Sequence, residues 1–328
     1  MEVIFMEYQE FIRRITDSIQ TILGDHYQVQ CHPVCKNNGV HLDGLIVMSD
    51  EANISPTVYL NTYYEQFRHA RPLDEIIWEI FSLFKQAPQF GMMNIDQLTN
   101  FAAVRPNIAI KLINYEANKE LLAEIPHRRF LDLAEVYYFV IRNELLGNAT
   151  ILIRNEHTHL WQTNEAALHR IGMRNTLELG WEIRPMNAII RDYLEEELNV
   201  YLKDKSEDSG RAPAEPDRVQ QLAEEILSDI YTNEDESPLY VLSNTQRFFG
   251  ASCMLYKDKL REFAALKDSD LYILPSSIHE VILIPEKISP DYKSLCRMVR
   301  EINESEVDPC DRLSDRVYRF SLSTGKIS

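Results

Sequence analysis

The chain has 328 residues, 45% of them apolar and 26% charged, an ordinary globular composition with enough apolar mass for a sizeable core. Lys and Arg number 34 against 51 Asp and Glu, a formal net charge of −17 at pH 7. That balance favours solubility and disfavours binding to nucleic-acid backbones or anionic membranes.

No apolar run approaches the ~18 residues of a membrane span. Residues 1–10 carry neither the basic nor the apolar region of a secretory signal. Five scattered cysteines, Cys31, Cys35, Cys253, Cys296 and Cys310, read as reduced thiols. The expectation is a cytoplasmic protein. Its length fits two domains or one large α+β unit.

In chain order, Phe11, Ile15, Ile19 and Ile22 form a helical stripe. Residues 27–34 and 40–48 flank Lys36-Asn-Asn-Gly39 and predict a hairpin, since Asn38-Gly39 supplies positive φ angles. Residues 57–60 read as a strand. Leu73, Ile76, Ile77, Ile80, Phe81 and Phe84 then recur at helical spacing behind Pro72, with Asp74 and Glu75 suiting the first turn. Residues 108–113 and 149–153 read as strands, and 136–141 as a strand or a helix.

A helix begins at about Asn187 with the stripe Ile189, Ile190, Tyr193, Leu194, Leu198, Tyr201 and Leu202. Another carries Val219, Leu222, Ala223, Ile226, Leu227 and Ile230 behind a capping box of Asp217 and Gln220. Between them residues 203–216 (KDKSEDSGRAPAEP) predict a mobile acidic loop at the tip of a helical hairpin. Residues 233–237 are a second acidic loop. Strands at 239–242, 271–274 and 278–284 follow, the last two joined by Pro275-Ser276-Ser277 as a hairpin. A final helix starts at Ser289-Pro290 and buries Leu295, Met298, Val299 and Ile302.

The densest polar chemistry follows the strand at 149–153: Arg154, Asn155, Glu156, His157 and His159. In extended backbone both imidazoles project to one face. With Glu156 or a distant carboxylate they offer a metal-assisted or proton-transfer site for a hydrolase. The plain alternative is an exposed loop capped by Trp161, and no third metal ligand stands at diagnostic spacing, so no metal is assigned.

Cys31-His32 and Cys35 resemble half of a zinc knuckle, but no second pair follows. Ser276, Ser277, His279 and Glu280 suggest a nucleophile and base, although no Gly-x-Ser-x-Gly elbow exists and an outward His in a hairpin turn explains them as well. His127-Arg128-Arg129 is the densest basic spot, able to hold a phosphate or carboxylate or to pair with surface acids. With ten glycines and no phosphate-loop or dinucleotide fingerprint, no nucleotide fold is indicated and no cofactor is assigned.

Lys36-Asn-Asn-Gly39, residues 54–61 (ISPTVYLN), Asn114-Tyr-Glu116, residues 126–132 (PHRRFLD), 147–161 and 271–280 (LYILPSSIHE) together resemble an uncharacterised bacterial family, domain of unknown function 5688, over nearly the whole chain from about Tyr8 to Ile327. From Gly147 onward there is a weaker likeness to a second uncharacterised bacterial family. Neither resemblance implies an activity, a cofactor or a catalytic residue.

The resulting expectation is an α+β protein with mixed or antiparallel sheets and peripheral amphipathic helices. It has an N-terminal lobe over residues 1–125 and a C-terminal lobe over 126–328. The leading functional reading is a noncatalytic binding protein with a protein partner. The alternatives are the hydrolase built on Arg154–His159 and an acidic mimic of nucleic acid.

Overall fold

The computed structural model describes residues 6–49, 55–86, 98–143, 147–209, 219–224, 226, 239–289 and 291–328. The fold is α+β with antiparallel sheets. Contacts divide the chain into two units, Met1–Ala109, Tyr115–Arg128 and Val136–Gly172 against Ile110–Asn114, Arg129–Glu135 and Met173–Ser328.

In the first unit, α1 (Tyr8–Leu23) places Phe11, Ile15 and Ile19 four residues apart, hence on one face, and all three are fully buried. Ile22 lies off that face and is exposed. Strands β1 (Tyr27–Cys35) and β2 (His41–Ser49) pair as the expected hairpin, Cys35 opposite His41, across a turn in which Asn38 (φ 60°) and Gly39 (φ 67°) are left-handed. Strand β3 (Thr57–Tyr59) adds to β2, completing the sheet β1-β2-β3.

Leu60 does not end that strand, as the sequence suggests, but opens α2 (Leu60–Arg68). Tyr63, Tyr64 and Phe67 follow it at helical spacing, so the stripe packs on the same core as Leu60. Helix α3 (Leu73–Gln86) closes that core with Ile76, Ile77, Ile80 and Phe84.

Next come α4 (Phe101–Val104), β4 (Ile108–Asn114), α5 (Lys119–Glu124), β5 (His127–Phe130), β6 (Leu133–Asn143) and β7 (Gly147–Leu152). The order is β4-β6-β5, with β7 antiparallel on β6. The ambiguous run at 136–141 is strand. Val136, Tyr137, Tyr138 and Phe139 are buried in succession, as in a strand covered on both faces. Helices α6 (Asn155–Leu160) and α7 (Glu165–Glu178) follow.

The second unit is organised on a six-stranded sheet of order β13-β12-β10-β11-β9-β8. Its strands are β8 (Glu182–Pro185), β9 (Tyr240–Ser243), β10 (Leu271–Leu274), β11 (Val281–Pro285), β12 (Tyr318–Ser321) and β13 (Lys326–Ile327). The expected hairpin is β10–β11, with Leu271 opposite Pro285 and Leu274 opposite Ile282.

Helix α8 (Met186–Ser209) runs seven residues into the segment expected to be a loop. Residues 203–209 contain no Gly or Pro, and the first breaker is Gly210. The remainder of that loop, the capping-box Asp217, Leu227, Ile230 and the acidic loop at 233–237 lie outside the described residues. Residues 219–224 are helical, with Val219 and Ala223 buried.

A 3₁₀ turn (Gly250–Leu255), α9 (Lys257–Lys267) and α10 (Tyr292–Ser305) complete the unit. Helix α10 is capped by Asp291 rather than Ser289, since the Asp291 carboxylate accepts from the amides of Lys293 and Ser294. Pro290 lies outside the described residues. The buried face is Leu295, Val299 and Asn303, whereas Met298 and Ile302 are exposed, because four-residue steps from Leu295 hold one line against Leu274, Ile284 and Val317. No helix among the described residues is long and apolar enough to cross a membrane.

Candidate functional site

The Arg154–His159 segment is neither strand nor loop but the short helix α6. Its first turn is closed by a side chain: the Arg154 amide donates to His157 Nδ1 at 2.9 Å. Helical backbone rotates about 100° per residue, so His157 and His159 point to opposite sides rather than to the shared face that extended backbone implies.

His157 is half-buried and stacks on Trp161, with centroids 5.2 Å apart and an interplanar angle of 16°, while Phe139 presents an edge at 6.3 Å. Burial lowers its pKa, assisted by the Arg154 charge and opposed by Glu156. His159 and Glu156 are exposed. Arg154 pairs with Glu124 at 2.5 Å, and the Asn155 amide donates to the Ala123 carbonyl at 3.2 Å, so both side chains tie α6 to α5. No group of three or more His, Cys, Asp or Glu side chains able to hold a metal occurs among the described residues.

The basic run is also engaged. Arg128 makes a two-point contact with Glu165 (Nε–Oε1 3.0 Å, Nη2–Oε2 3.2 Å), and the Tyr137 hydroxyl donates to the same carboxylate at 2.6 Å. Burial acts to raise the Glu165 pKa, but the Arg128 and Tyr137 hydrogen bonds with the Arg128 charge hold it below the usual carboxylate value. His127 Nδ1 lies 3.1 Å from the Ile125 carbonyl, and Arg129 Nε donates to the Leu131 carbonyl at 3.1 Å. In these contacts each of the three side chains meets a different partner.

Around Ser276, Ser277, His279 and Glu280 the hydrogen bonds run against a nucleophile and base. Ser277 Oγ accepts from the His279 amide at 3.0 Å, and the His279 ring takes the Phe249 amide on Nδ1 at 3.2 Å, with Nε2 3.6 Å from Asp311. The imidazole lies flat against Phe249 (5.6 Å, 14°) and holds a left-handed residue, φ 55°, in place. Gly250 must be glycine, for a Cβ there would lie 2.1 Å from Ser243 Oγ and 2.6 Å from both the Asn244 amide and the His279 carbonyl. Burial raises the Glu280 pKa, partly offset by His279 and Arg247.

Cys31, His32 and Cys35 alternate along β1, so His32 faces away from both thiols and its Nε2 meets Gln30 Oε1 at 2.7 Å. Burial, with the nearby Asp43 charge, pushes the Cys31 thiol up to about 11.

Two concave features in the first unit escaped sequence reasoning. One is a groove of about 380 Å³ between Asp17, Ser18, Thr21 and Ile22 of α1 and Asp74, Ile77 and Trp78 of α3. Ile77 is its buried floor, and Trp78 stands 58% exposed beside it. Both carboxylates are exposed. Arg13 lies 3.7 Å from Asp17 but closer to Glu10, at 2.7 Å, and among the described residues no cation pairs with Asp74. The helical stripe that reveals the core of α3 leaves out Trp78, which stands off the buried face.

The second feature is a pocket of about 350 Å³ at the tip of the β1–β2 hairpin, facing residues 116–121.

A family model covers residues 8–322. The chain belongs to the family of unknown function DUF5688. No curated protein and no solved structure matches it. The DUF5688 match spans the groove, the hairpin pocket and the α6 segment alike, so all three lie within the family region. In this DUF5688 member the groove presents an apolar anchor inside an acidic rim.

Proposed function

We propose that this protein is a noncatalytic binding protein that docks a basic amphipathic segment of a protein partner in the α1–α3 groove. The observation that carries the reading is Trp78, 58% exposed above a buried Ile77 and flanked by the carboxylates of Asp17 and Asp74. Large exposed aromatics in a concavity are the side chains that dominate binding energy in protein interfaces. In a helix-in-groove mode an apolar side chain of the partner would sit beside Trp78 with Lys or Arg on either side of it. The chain's charge of −17 supports a cationic partner and opposes direct contact with nucleic acid or an anionic membrane. Five free thiols support a reducing, cytoplasmic setting.

The test is fluorescence anisotropy with labelled helical peptides sharing one apolar stripe but carrying either Lys/Arg or Asp/Glu on the flanks. The expected result is retention of the basic peptides only. Trp78→Ala should remove that binding, and Asp17→Asn/Asp74→Asn should weaken it and flatten its salt dependence. Equal binding of both peptide sets, or binding that survives Trp78→Ala, overturns the reading. Concentration-dependent self-association abolished by Trp78→Ala would instead seat a second copy in the groove and overturn the basic partner.

A further inference from the structure

The pocket at the hairpin tip combines a nucleophile, a base and a cation on a fixed frame. Cys35, Lys36, Gly39 and His41 line it from the hairpin, and residues 116–121 line it from the loop and first turn of α5. A clasp holds the two sides together: the Asn38 amide donates to Asn118 Oδ1 at 2.8 Å, and Asn118 Nδ2 donates to Asn38 Oδ1 at 2.9 Å, with Asn118 only 2% exposed. The left-handed turn brings Gly39 to the Ala117 carbonyl, which a Cβ would meet at 3.7 Å. At about 350 Å³ the space lies in the range of small-molecule sites.

Cys35 is the exposed thiol among the five free cysteines. Its Sγ donates to the Lys36 carbonyl at 3.6 Å. The β1–β2 register sets Cys35 directly opposite His41, and directly opposed residues of an antiparallel pair carry their side chains on one face, with Cβ atoms ~4.5–5.5 Å apart. Lys36 lies over the Tyr59 ring, 4.2 Å from its centroid, and no carboxylate pairs with it among the described residues. Of the two acids that line it, Glu116 pairs with Lys119 at 2.5 Å and Glu120 is exposed. The nearest cysteine in the chain on the same strand face is Cys31, four residues and ~13 Å away at 3.3 Å per residue. That is too far for a disulfide within the strand.

We propose that this pocket is a thiol-exchange site at which Cys35 forms a mixed disulfide with a small, carboxylate-bearing disulfide. His41 takes the proton from Cys35 Sγ, and the thiolate attacks one sulfur of the incoming disulfide. The new Sγ–S bond forms as the S–S bond of the reagent breaks. The departing thiolate leaves with the bonding electron pair and receives the proton from His41. No net oxidant beyond the disulfide is consumed. Lys36 attracts the carboxylate of the reagent, and Cys31, out of reach along the strand, does not resolve the mixed disulfide.

The experiment treats the full chain with oxidised glutathione or with the neutral bis(2-hydroxyethyl) disulfide and follows modification by intact mass and peptide mapping. Cys35 is expected to react first, ahead of Cys31, Cys253, Cys296 and Cys310. In His41→Gln the rate falls about tenfold with either reagent, below the ~10²–10⁴-fold of an enclosed general base because this pair is open to water. In Lys36→Gln the preference for oxidised glutathione over the neutral reagent drops about fivefold. Circular dichroism verifies that each variant is folded, and a Lys36→Arg variant retains the preference. Modification of Cys35 no faster than of Cys296 or Cys310, or rates unchanged in folded His41→Gln, overturns the proposal. A glutathione preference that persists in folded Lys36→Gln overturns the role of Lys36.

Discussion

The imidazole of His157 lies on the indole of Trp161, 5.2 Å between centroids and 16° between planes, while its Nδ1 accepts the Arg154 amide. Protonation would place a hydrogen where that amide already points. Its pKa is depressed by burial, so the contact contributes stability that is whole above the unfolded value of about 6.5 and is lost as pH falls through the folded pKa. In a Trp78→Phe/Trp181→Phe background, the emission of Trp161 should therefore drop in a step beginning only below about pH 6.5. A His157→Gln variant should show no step. A midpoint at or above that pH would contradict the burial argument.

Glu165 lies between Arg128 and Tyr137, and its lowered pKa sets the sign of a second pH effect. The pair stabilises the fold above the ordinary glutamate value of about 4.3 and loses that contribution as pH falls through the folded pKa. Both side chains are partly exposed, 40% and 31%, so solvent screening limits the loss in Glu165→Gln to about 1–2 kcal/mol at neutral pH. Urea unfolding should show that difference at pH 7 and little of it at about pH 3. A constant difference at both would show that packing, not charge, is responsible.

Glu280 has the opposite sign. Burial raises its pKa, so folding is favoured below the ordinary glutamate value and penalised as pH rises through the folded one. Glu280→Gln removes that penalty, and the thermal midpoint at pH 8 should rise by about 2 °C or more, with no gain at about pH 4. Destabilisation at both pH values would mean that the carboxylate has a favourable partner.

Gly250 tests the packing beneath His279. Alanine there forces a methyl to within 2.6 Å of two backbone atoms that cannot rotate away. The cost should reach about 3 kcal/mol, the upper part of the usual overpacking range. Urea midpoints measure it directly, and a loss below about 1 kcal/mol would show that the loop yields.

Much of this architecture is written in local pattern. Phe11, Ile15 and Ile19, the Ile76–Phe84 stripe and Asn38-Gly39 each specify an element from residues close in sequence, and all of these elements form. Helices α7 and α9 escaped notice because few of their residues are buried; in α9 only Leu260 and Ala264 mark the inner face. Strands β12 and β13 are four and two residues long, too short for a period. The chemistry was harder to read than the fold. Arg128 meets Glu165 across 37 positions, and His157 acquires its role from a turn that a six-residue helix leaves no periodic trace of. The groove and the hairpin pocket depend on which residues face outward together, which hydrophobic periodicity does not encode.

The second unit is assembled from three stretches of chain, and its interior records this. Tyr318, fully buried, donates to Asp132 at 2.9 Å, Ser314 donates to the same carboxylate at 2.7 Å, and Asn114 reaches the Leu313 carbonyl at 3.1 Å. A gene fragment beginning at residue 173 would therefore encode the six-stranded sheet without the acceptor that Tyr318 requires. During synthesis Asn114 and Asp132 emerge well before Leu313, Ser314 and Tyr318, with which they hydrogen-bond.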